Sequence, residues 1–541
     1  MLFRSATHHR ASAVGIVFLV HAVMMRSHLA LRKLRVRVAG APTAGLLVMA
    51  SVGAYAQGTV IDAGSQRLVS VVPRVSISEV LTNNVGLSST NPQADEITQI
   101  SPGILVNVAG ARVHAYFDYS RNELFYAQDS SPRQSQNALN TFGTLEVYDN
   151  WAYLDFSGNI SQQAISAFGA QSIDNTSVNS NRTEVSTYRL SPYVRGRLGN
   201  VANYEARYSR AITSSDAAVG SGVATVDATV KVGADRAFGN LGWSADASQQ
   251  TADYSAGRPT ESERLNLGLS YALTPQFNVS ARAGRETNNY TSLDKRSYDT
   301  SGVGASWSPS EMTKLSASLD HRSFGDAHSV SVEHRTARTA WKFSDSKDVL
   351  TGFQQTSFGS LGAIYDLLFS QFATLEPDET KRAQLINAYL QNNGISPNAP
   401  VISSFLTSAV SLQRRQDLSF ALLGVRDTIT FVATRSESST LDTLSVGFDP
   451  NNSTLVRQRG FSVNYAHRLT AEYSLGVLAS QQDTSGVLSV QDSRLRLLSI
   501  QVMGKVGRNA AMSVGARRVV YSNVAAPYGE TAITVSLNVQ F

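Results

Sequence analysis

The chain has 541 residues, of which 42% are apolar and only 16% charged, with no cysteine and a formal net charge of +5. The lack of cysteine excludes disulfides, thiol catalysis and cysteine-ligated metals. The positive balance is local: residues 1–56 carry seven Arg or Lys and no acid, which leaves 40 bases against 42 acids beyond them, so the pI near 9.2 is no argument for nucleic acid.

The first 56 residues read as an N-terminal extension and a signal peptide. Arg32-Lys33-Leu34-Arg35-Val36-Arg37 is a basic opening, residues 38–53 are weakly apolar, and Ala54-Tyr55-Ala56 has the A-x-A form of a cleavage site. Cleavage after Ala56 starts the mature chain at Gln57, and residues 57–68 form a short periplasmic segment. The stretch ahead of Arg32 is long for a leader. Either translation starts near Met24 or Met25, or the signal peptide is an extended one.

From residue 69 to 541 one pattern repeats: 10–14 alternating residues, a tight turn, another run, then a longer polar loop. Membrane-spanning strands need about 9–11 tilted residues, so the lengths fit. The region has no apolar run of about 20 residues, which excludes spanning helices. Low charge with abundant Ser, Thr, Asn, Gln, Gly and Tyr suits strands with one face in lipid and one in a wet lumen. Around residue 190, Tyr188, Leu190, Val194 and Leu198 share one parity, and Arg189, Ser191, Arg195 and Arg197 the other. Glu205 and Arg207 repeat the arrangement. Leu265, Leu267, Leu269, Tyr271 and Leu273 oppose Arg264, Asn266, Gly268 and Ser270. A charge at the lipid midplane costs about 2–4 kcal/mol. Arg189, Arg195, Arg197, Glu205, Arg207 and Arg264 are therefore expected to face the lumen.

Turn residues recur at Ala109-Gly110, Tyr148-Asp149-Asn150, Gly199-Asn200, Phe238-Gly239-Asn240, Thr274-Pro275-Gln276 and Ser308-Pro309-Ser310-Glu311. They continue at Ser344-Asp345-Ser346, Gly424-Val425-Arg426-Asp427, Leu469-Thr470-Ala471-Glu472 and Gly507-Arg508-Asn509. All four tryptophans, Trp151, Trp243, Trp307 and Trp341, lie near one of these turns, as a periplasmic aromatic girdle requires. The expectation is an all-β, antiparallel up-and-down transmembrane barrel of about 22 strands, within 18–22, in the outer membrane of a Gram-negative bacterium. One insert, about 358–410, breaks the alternation: residues 363–393 read as two helices separated at Pro377. It falls on the long-loop side, either as a constriction or as a surface hairpin.

The chain ends on strict period two. Ile533, Val535, Leu537, Val539 and Phe541 alternate with Thr534, Ser536, Asn538 and Gln540. A terminal aromatic on such a strand resembles the signal read by the barrel-assembly machinery.

Several segments resemble a known family: Pro73-Arg74-Val75-Ser76-Ile77-Ser78-Glu79 with Thr82-Asn83-Asn84-Val85, Ile100-Ser101-Pro102-Gly103-Ile104, and Asn181-Arg182-Thr183-Glu184-Val185 leading into Leu190-Ser191-Pro192-Tyr193-Val194-Arg195-Gly196-Arg197. Tyr204 to Arg210 and Tyr365-Asp366-Leu367-Leu368 continue it. Together they are similar to the outer-membrane β-barrel proteins associated with PEP-CTERM/exosortase systems, over most of residues 69–541. The resemblance implies a setting near exopolysaccharide synthesis and export components. It implies no catalytic residue.

No enzyme is expected. The five histidines beyond the leader, His114, His321, His328, His334 and His467, stand in no nucleophile motif. His321 and His334, with Asp320 and Glu333 beside them, would suit a metal if one hairpin brought them together; rim histidines meeting solvent or lipopolysaccharide are the plainer reading. No phosphate loop, zinc spacing or other cofactor motif occurs. About a dozen residues separate Gln57 from the first strand, which leaves no room for the N-terminal plug of a siderophore-type receptor. Two functions of different class stay open: a porin-like channel or export component with a polar lumen, and a non-conducting structural or assembly protein. The expected partners are outer-membrane lipid and lipopolysaccharide, the assembly machinery through the last strand, and exopolysaccharide export components.

Overall fold

The computed structural model describes residues 68–541 apart from 200, 217–221, 256, 352–404, 407–408, 442–453 and 471. The leader with Ala54 and Ala56, and the expected helical insert except Phe405, Leu406, Ala409 and Val410, lie outside the described residues.

The chain forms 22 strands. The first eight are β1 (Val69–Thr82), β2 (Asp95–Ala109), β3 (Val113–Tyr126), β4 (Gln134–Tyr148), β5 (Ala152–Ala164), β6 (Arg182–Leu198), β7 (Ala202–Ser215) and β8 (Val223–Phe238). There follow β9 (Leu241–Tyr254), β10 (Thr260–Thr274), β11 (Phe277–Asn288), β12 (Arg296–Ser310), β13 (Thr313–Arg322), β14 (Gly325–Arg335) and β15 (Thr339–Leu350). The last seven are β16 (Ser411–Leu423), β17 (Asp427–Thr440), β18 (Leu455–Arg468), β19 (Tyr473–Ser485), β20 (Ser493–Lys505), β21 (Ala510–Asn523) and β22 (Tyr528–Gln540). Each strand pairs antiparallel with the next. β1 also pairs antiparallel with β22, from Arg74↔Gln540 to Thr82↔Ala532, and this closes the barrel. Closure leaves no sheet edge, so every strand's backbone groups have partners without water. Twenty-two strands spaced about 4.8 Å and tilted about 40° enclose a backbone radius of about 20 Å, too wide for wall side chains alone to fill.

The connections divide by end. All ten that follow even-numbered strands span two to four residues. Gly239 (φ +69°) and Asn150 (φ +52°) supply the left-handed backbone at two of them. The odd-numbered strands are followed by connections of five residues or more, with two exceptions: Ser323-Phe324 between β13 and β14, and the four residues Val524-Ala525-Ala526-Pro527 between β21 and β22. Both β1 and β22 have their outer ends on the short-turn side.

One expected turn is misplaced. Ser344-Asp345-Ser346 lies inside β15, and the turn is Thr336-Ala337-Arg338. Asp345 is a turn-forming residue, but here its carboxylate accepts from Arg414 and Gln416, both at 2.8 Å, and from His328 at 3.0 Å. Those bonds hold it extended, and the Thr336 hydroxyl accepts the Thr339 amide at 3.0 Å to make the turn.

The exposed large apolar residues form a belt on one parity of each strand. Leu265, Leu267, Leu269 and Leu273 on β10 are all more than half exposed, and Ile533, Val535 and Leu537 continue the belt on β22. So continuous an apolar outer surface is stable only in lipid. At its short-turn border stand aromatic residues. The Trp151 indole donates to the Tyr204 hydroxyl at 2.8 Å, and the Trp341 ring lies 4.2 Å from Phe420. The fold is therefore a closed 22-stranded antiparallel barrel of the outer-membrane type.

Candidate functional site: the luminal wall and its mouth

Inward positions of β5 to β9 carry charges in register. Arg195 stands opposite Glu205, Glu205 opposite Lys231, and Lys231 opposite Asp246. Arg207 donates to Asp155 at 2.7 Å and to Glu205 at 3.2 Å. The Tyr153 and Tyr193 rings stack at 5.0 Å, with the Arg195 guanidinium 4.4 Å above the first and the Arg207 guanidinium 3.9 Å above the second. Arg195, Glu205 and Arg207 thus belong to one cluster. Further around the wall, Arg282 pairs with Asp320 at 2.7 Å and Arg415 with Asp417 at 2.7 Å. Gly302 makes the first of these possible, since a Cβ there would stand 1.9 Å from an Asp320 carboxylate oxygen.

The remaining expected luminal residues are spread apart. Arg189 and Arg197 lie on the parity opposite exposed Tyr188, Leu190 and Leu198; Arg189 is opposite Ser157 and Ala211, and Arg197 opposite Asn203 near the turn. Arg264 joins a different group. It reaches Glu286 at 4.0 Å, and Arg322 holds the same fully buried carboxylate through two bonds of 3.0 Å. Asp348 pairs with Arg322 from β15. A buried carboxylate is stable only with such partners.

The mouth on the long-connection side holds a feature that periodicity does not reveal. Residues 165–181, between β5 and β6, make a compact loop stapled by its own amides. Asn181 accepts from the Ser166 amide and donates to the Ser166 carbonyl, both at 2.9 Å. Asn179 donates to the Ala170 carbonyl at 2.9 Å, and Gln171 to those of Ser166 and Gly169 at 3.1 Å. The loop meets parts of the wall that are distant from it in sequence. The Val178 amide donates to the Val85 carbonyl at 2.9 Å, Tyr126 donates to the Thr176 carbonyl at 3.0 Å, and Gln136 to that of Asn175 at 3.0 Å. From the other flank Tyr521 donates to the Gly169 carbonyl at 3.0 Å, and Tyr528 donates to that of Gln171. The loop is therefore anchored to β3 and β4 on one flank and to β21 and β22 on the other.

At its tip Asp174 folds into an Asx turn, accepting the Thr176 amide at 3.1 Å and hydroxyl at 2.9 Å. Its carboxylate pairs with Arg517 of β21. Arg517 also pairs with Glu530 at 2.8 Å, and Glu530 accepts the Thr82 hydroxyl at 2.9 Å. Burial pushes the Asp174 carboxyl up, but the Arg517 guanidinium and the Thr176 bonds outweigh it and hold it below its ordinary value. Apolar contacts reinforce the polar ones. Val178 packs on Val85, Ile97 and Leu124, Ile173 on Leu495 and Tyr521, and Ala167 on Phe405 and Val456.

The histidine pair does not form. In the β13–β14 hairpin His334 stands opposite Thr313 and His321 opposite Asp326, at opposite ends of the strand, because the hairpin turns at Ser323-Phe324 and the strand between them is extended. His321 bonds Asp326 at 3.0 Å and His334 bonds the Thr313 hydroxyl at 2.9 Å. Among the described residues no cluster of three or more His, Asp or Glu suits a metal ion. On the last strand, Ile533, Val535, Leu537 and Val539 share the outward parity, and the Phe541 amide donates to the Pro73 carbonyl at 2.9 Å.

No protein-family model matches the chain, and no curated protein does. Among solved structures it is similar to the siderophore receptor PirA from Pseudomonas aeruginosa, at 9% identity over 87% of this chain and 80% of that one, with a TM-score of 0.42. It is similar also to the FrpB iron transporter from Neisseria meningitidis, at 10% identity over 87% and 81%, with a TM-score of 0.45. A third is the ferric-catecholate import receptor Fiu from E. coli K12, at 8% identity over 87% and 82%, with a TM-score of 0.46. Likeness at these identities and scores assigns no ligand to this chain.

Proposed function

We propose that this barrel is a porin-like outer-membrane channel for polar solutes, narrowed at the mouth by residues 165–181. The observation that carries the reading is the pinned loop itself. It is held to β21 and β22 by one ion-pair network, Asp174–Arg517–Glu530, and to β3 and β4 by hydrogen bonds from Tyr126 and Gln136, while the wall beyond it carries alternating charges. Paired charges and stacked tyrosines such as Tyr153 and Tyr193 suit hydroxyl-rich solutes, which hydrogen-bond to the first and lie flat on the second. Arg189, Arg195, Arg197, Glu205, Arg207 and Arg264 are the residues we assign to the solute path. The family resemblance adds an exopolysaccharide surface system as the setting and its export components as partners. It also accords with β22, ending at Phe541, as the strand read by the assembly machinery.

A second reading is a non-conducting structural or assembly protein. The apolar clusters at the mouth favour it, because a rim packed around Val85, Leu87, Tyr290 and Val410 can also seal. Conductance across a planar bilayer separates the two. The channel reading predicts steady single-channel conductance from the refolded mature chain, and larger steps when residues 167–179 are replaced by a short linker. Silence in both proteins would overturn it and leave the structural role.

A further inference from the structure

The outer surface of β15 to β20 carries several rows of charge on the outward parity, next to the apolar belt. On β10 the apolar face runs from Leu265 to Leu273 without a charge. On β16 to β20 the outward parity changes abruptly from apolar to charged toward the long-connection end. Leu418, Ala433 and Phe461 form one cross-strand row, and the next row toward the mouth is Gln416, Arg435, Arg459, Asp483 and Arg494. Beyond it Arg414, Glu437 and Arg457 make a third.

Arginine is in excess here. Arg435 and Arg459 are directly opposed across β17 and β18, an arrangement that costs stability unless an anion lies between them. The neighbouring carboxylates are already engaged. Glu437 lies 3.5 Å from Arg457 and 3.9 Å from Arg435, Asp483 pairs with Arg494, and Asp345 pairs with Arg414 at 2.8 Å. Arg459 has no ion pair among the described residues. Between the rows lies a groove of about 330 Å³, lined by Phe343, Leu418, Ala433 and Phe461 on the apolar side and by Arg435, Arg459 and Asp483, the last engaged by Arg494, on the charged side. Ala433, flanked by Leu418 and Phe461, opens it.

We infer that this groove binds a phosphorylated glycolipid of the outer leaflet, with a phosphate between Arg435 and Arg459 and an acyl chain along Phe343, Leu418 and Phe461. The chemistry selects such a molecule. The site lies at the border of the apolar belt on the long-connection side, which in barrels of this kind faces outside. Its lower wall needs a hydrocarbon chain and its upper wall needs an anion. A free phosphate satisfies only the arginines, and a neutral lipid only the groove. The site is independent of whether the lumen conducts.

Native mass spectrometry of the folded barrel with bisphosphoryl lipid A tests this, with dephosphorylated lipid A and inorganic phosphate as the other probes. Lipid A should give a one-to-one adduct that survives conditions under which the dephosphorylated lipid is stripped. Arg435→Gln with Arg459→Gln should weaken it by about five-fold per arginine removed. Arg285→Gln, on the outward face of β11 where Arg285 pairs with Asp299 at 2.9 Å, should leave it unchanged. Equal retention of the two lipids by the unaltered barrel, or equal losses in Arg285→Gln and the double variant, would overturn the inference. So would full competition by millimolar phosphate. Because the first comparison needs no substitution, misfolding of the variants cannot shield the proposal.

Discussion

The two ends of this barrel are built on different physics. At the short-turn end, connections of two to four residues are set by local backbone chemistry. The buried apolar residues there are few, among them Tyr153, Tyr193, Ala202, Ala340 and Ala421. At the other end most of the large buried side chains gather: Ile97, Leu124, Val185, Tyr254, Tyr290, Tyr521 and Tyr528. There the ion networks around Arg517 and Arg322 are also found. The middle of a membrane barrel faces lipid or water on its two sides, so it has no dry interior. The nearest thing to a protein core is the mouth, where loops pack against strand ends. A loop in that position is a structural element, and on the channel reading its removal should widen the pore.

The largest effect that would break this contrast is expected at Arg517. Arg517→Met leaves Asp174 and Glu530 without their shared cation, and losing one partner of a buried pair costs about 3–5 kcal/mol. We expect the barrel to remain folded, as judged by its heat-modified mobility, while protease cuts appear within 165–181. An uncut loop would mean that the ion network does not hold it. Next in size is the wall, which should respond to lipid alone. Leu267→Arg should lower unfolding stability in urea by about 2–4 kcal/mol. Asn266→Arg, one residue along and beside Asp246, should stay within about 0.5 kcal/mol of the parent. Equal losses at both positions would contradict the assigned parity.

Smaller effects sharpen the account of the mouth. A Cβ on Gly169 would stand 2.3 Å from the Asn181 amide carbon, so Gly169→Ala should cost about 1–3 kcal/mol locally. Faster amide exchange confined to 165–181 is the expected result, and exchange spreading into β5 and β6 would count against a separate loop unit. Acid should act most gently. The Asp174 carboxyl lies below its ordinary value in the folded chain, facing Arg517 and Arg182, with Glu530 beyond Arg517. Its contribution is therefore complete above about pH 4 and fades as pH falls through the lowered value. Loop protection should be flat from pH 7 to 5 and decline below about 4. A decline already at pH 6 would implicate another group.

How much of this was legible beforehand follows from what alternation encodes. Period two and turn chemistry suffice for the strands, their number and the parity of residues such as Leu267 and Arg264. Both are local, and lipid punishes every exception. Asp345 shows where local reading stops: a turn-forming residue was kept in β15 by Arg414 and Gln416, which lie far along the chain. The 165–181 loop escaped notice for the same reason. Its Asn and Gln residues look like any polar connection, and only the closed barrel brings Arg517, Tyr521 and Tyr528 to it. One available signal was inward Arg517, two and four residues before inward Val519 and Tyr521, a charge on a parity that turns apolar toward the mouth. Another was the loop's length, since connections beyond about 15 residues in compact folds are usually functional. The outward arginines of β17 and β18 were equally visible, but parity alone does not say that Arg435 and Arg459 stand opposite each other.

The most direct test of a pinned, pore-narrowing loop exploits the absence of cysteine. Val85 and Val178 are joined by a backbone bond of 2.9 Å and pack in one cluster, so Val85→Cys with Val178→Cys should cross-link readily. Introduced beside Arg517→Gln, the pair makes the loop switchable, with single-channel conductance as the readout. We predict small, parent-like steps when the pair is oxidised and larger steps after reduction, reversibly. A pair that fails to form in the folded barrel, or conductance indifferent to the lock, would contradict the account.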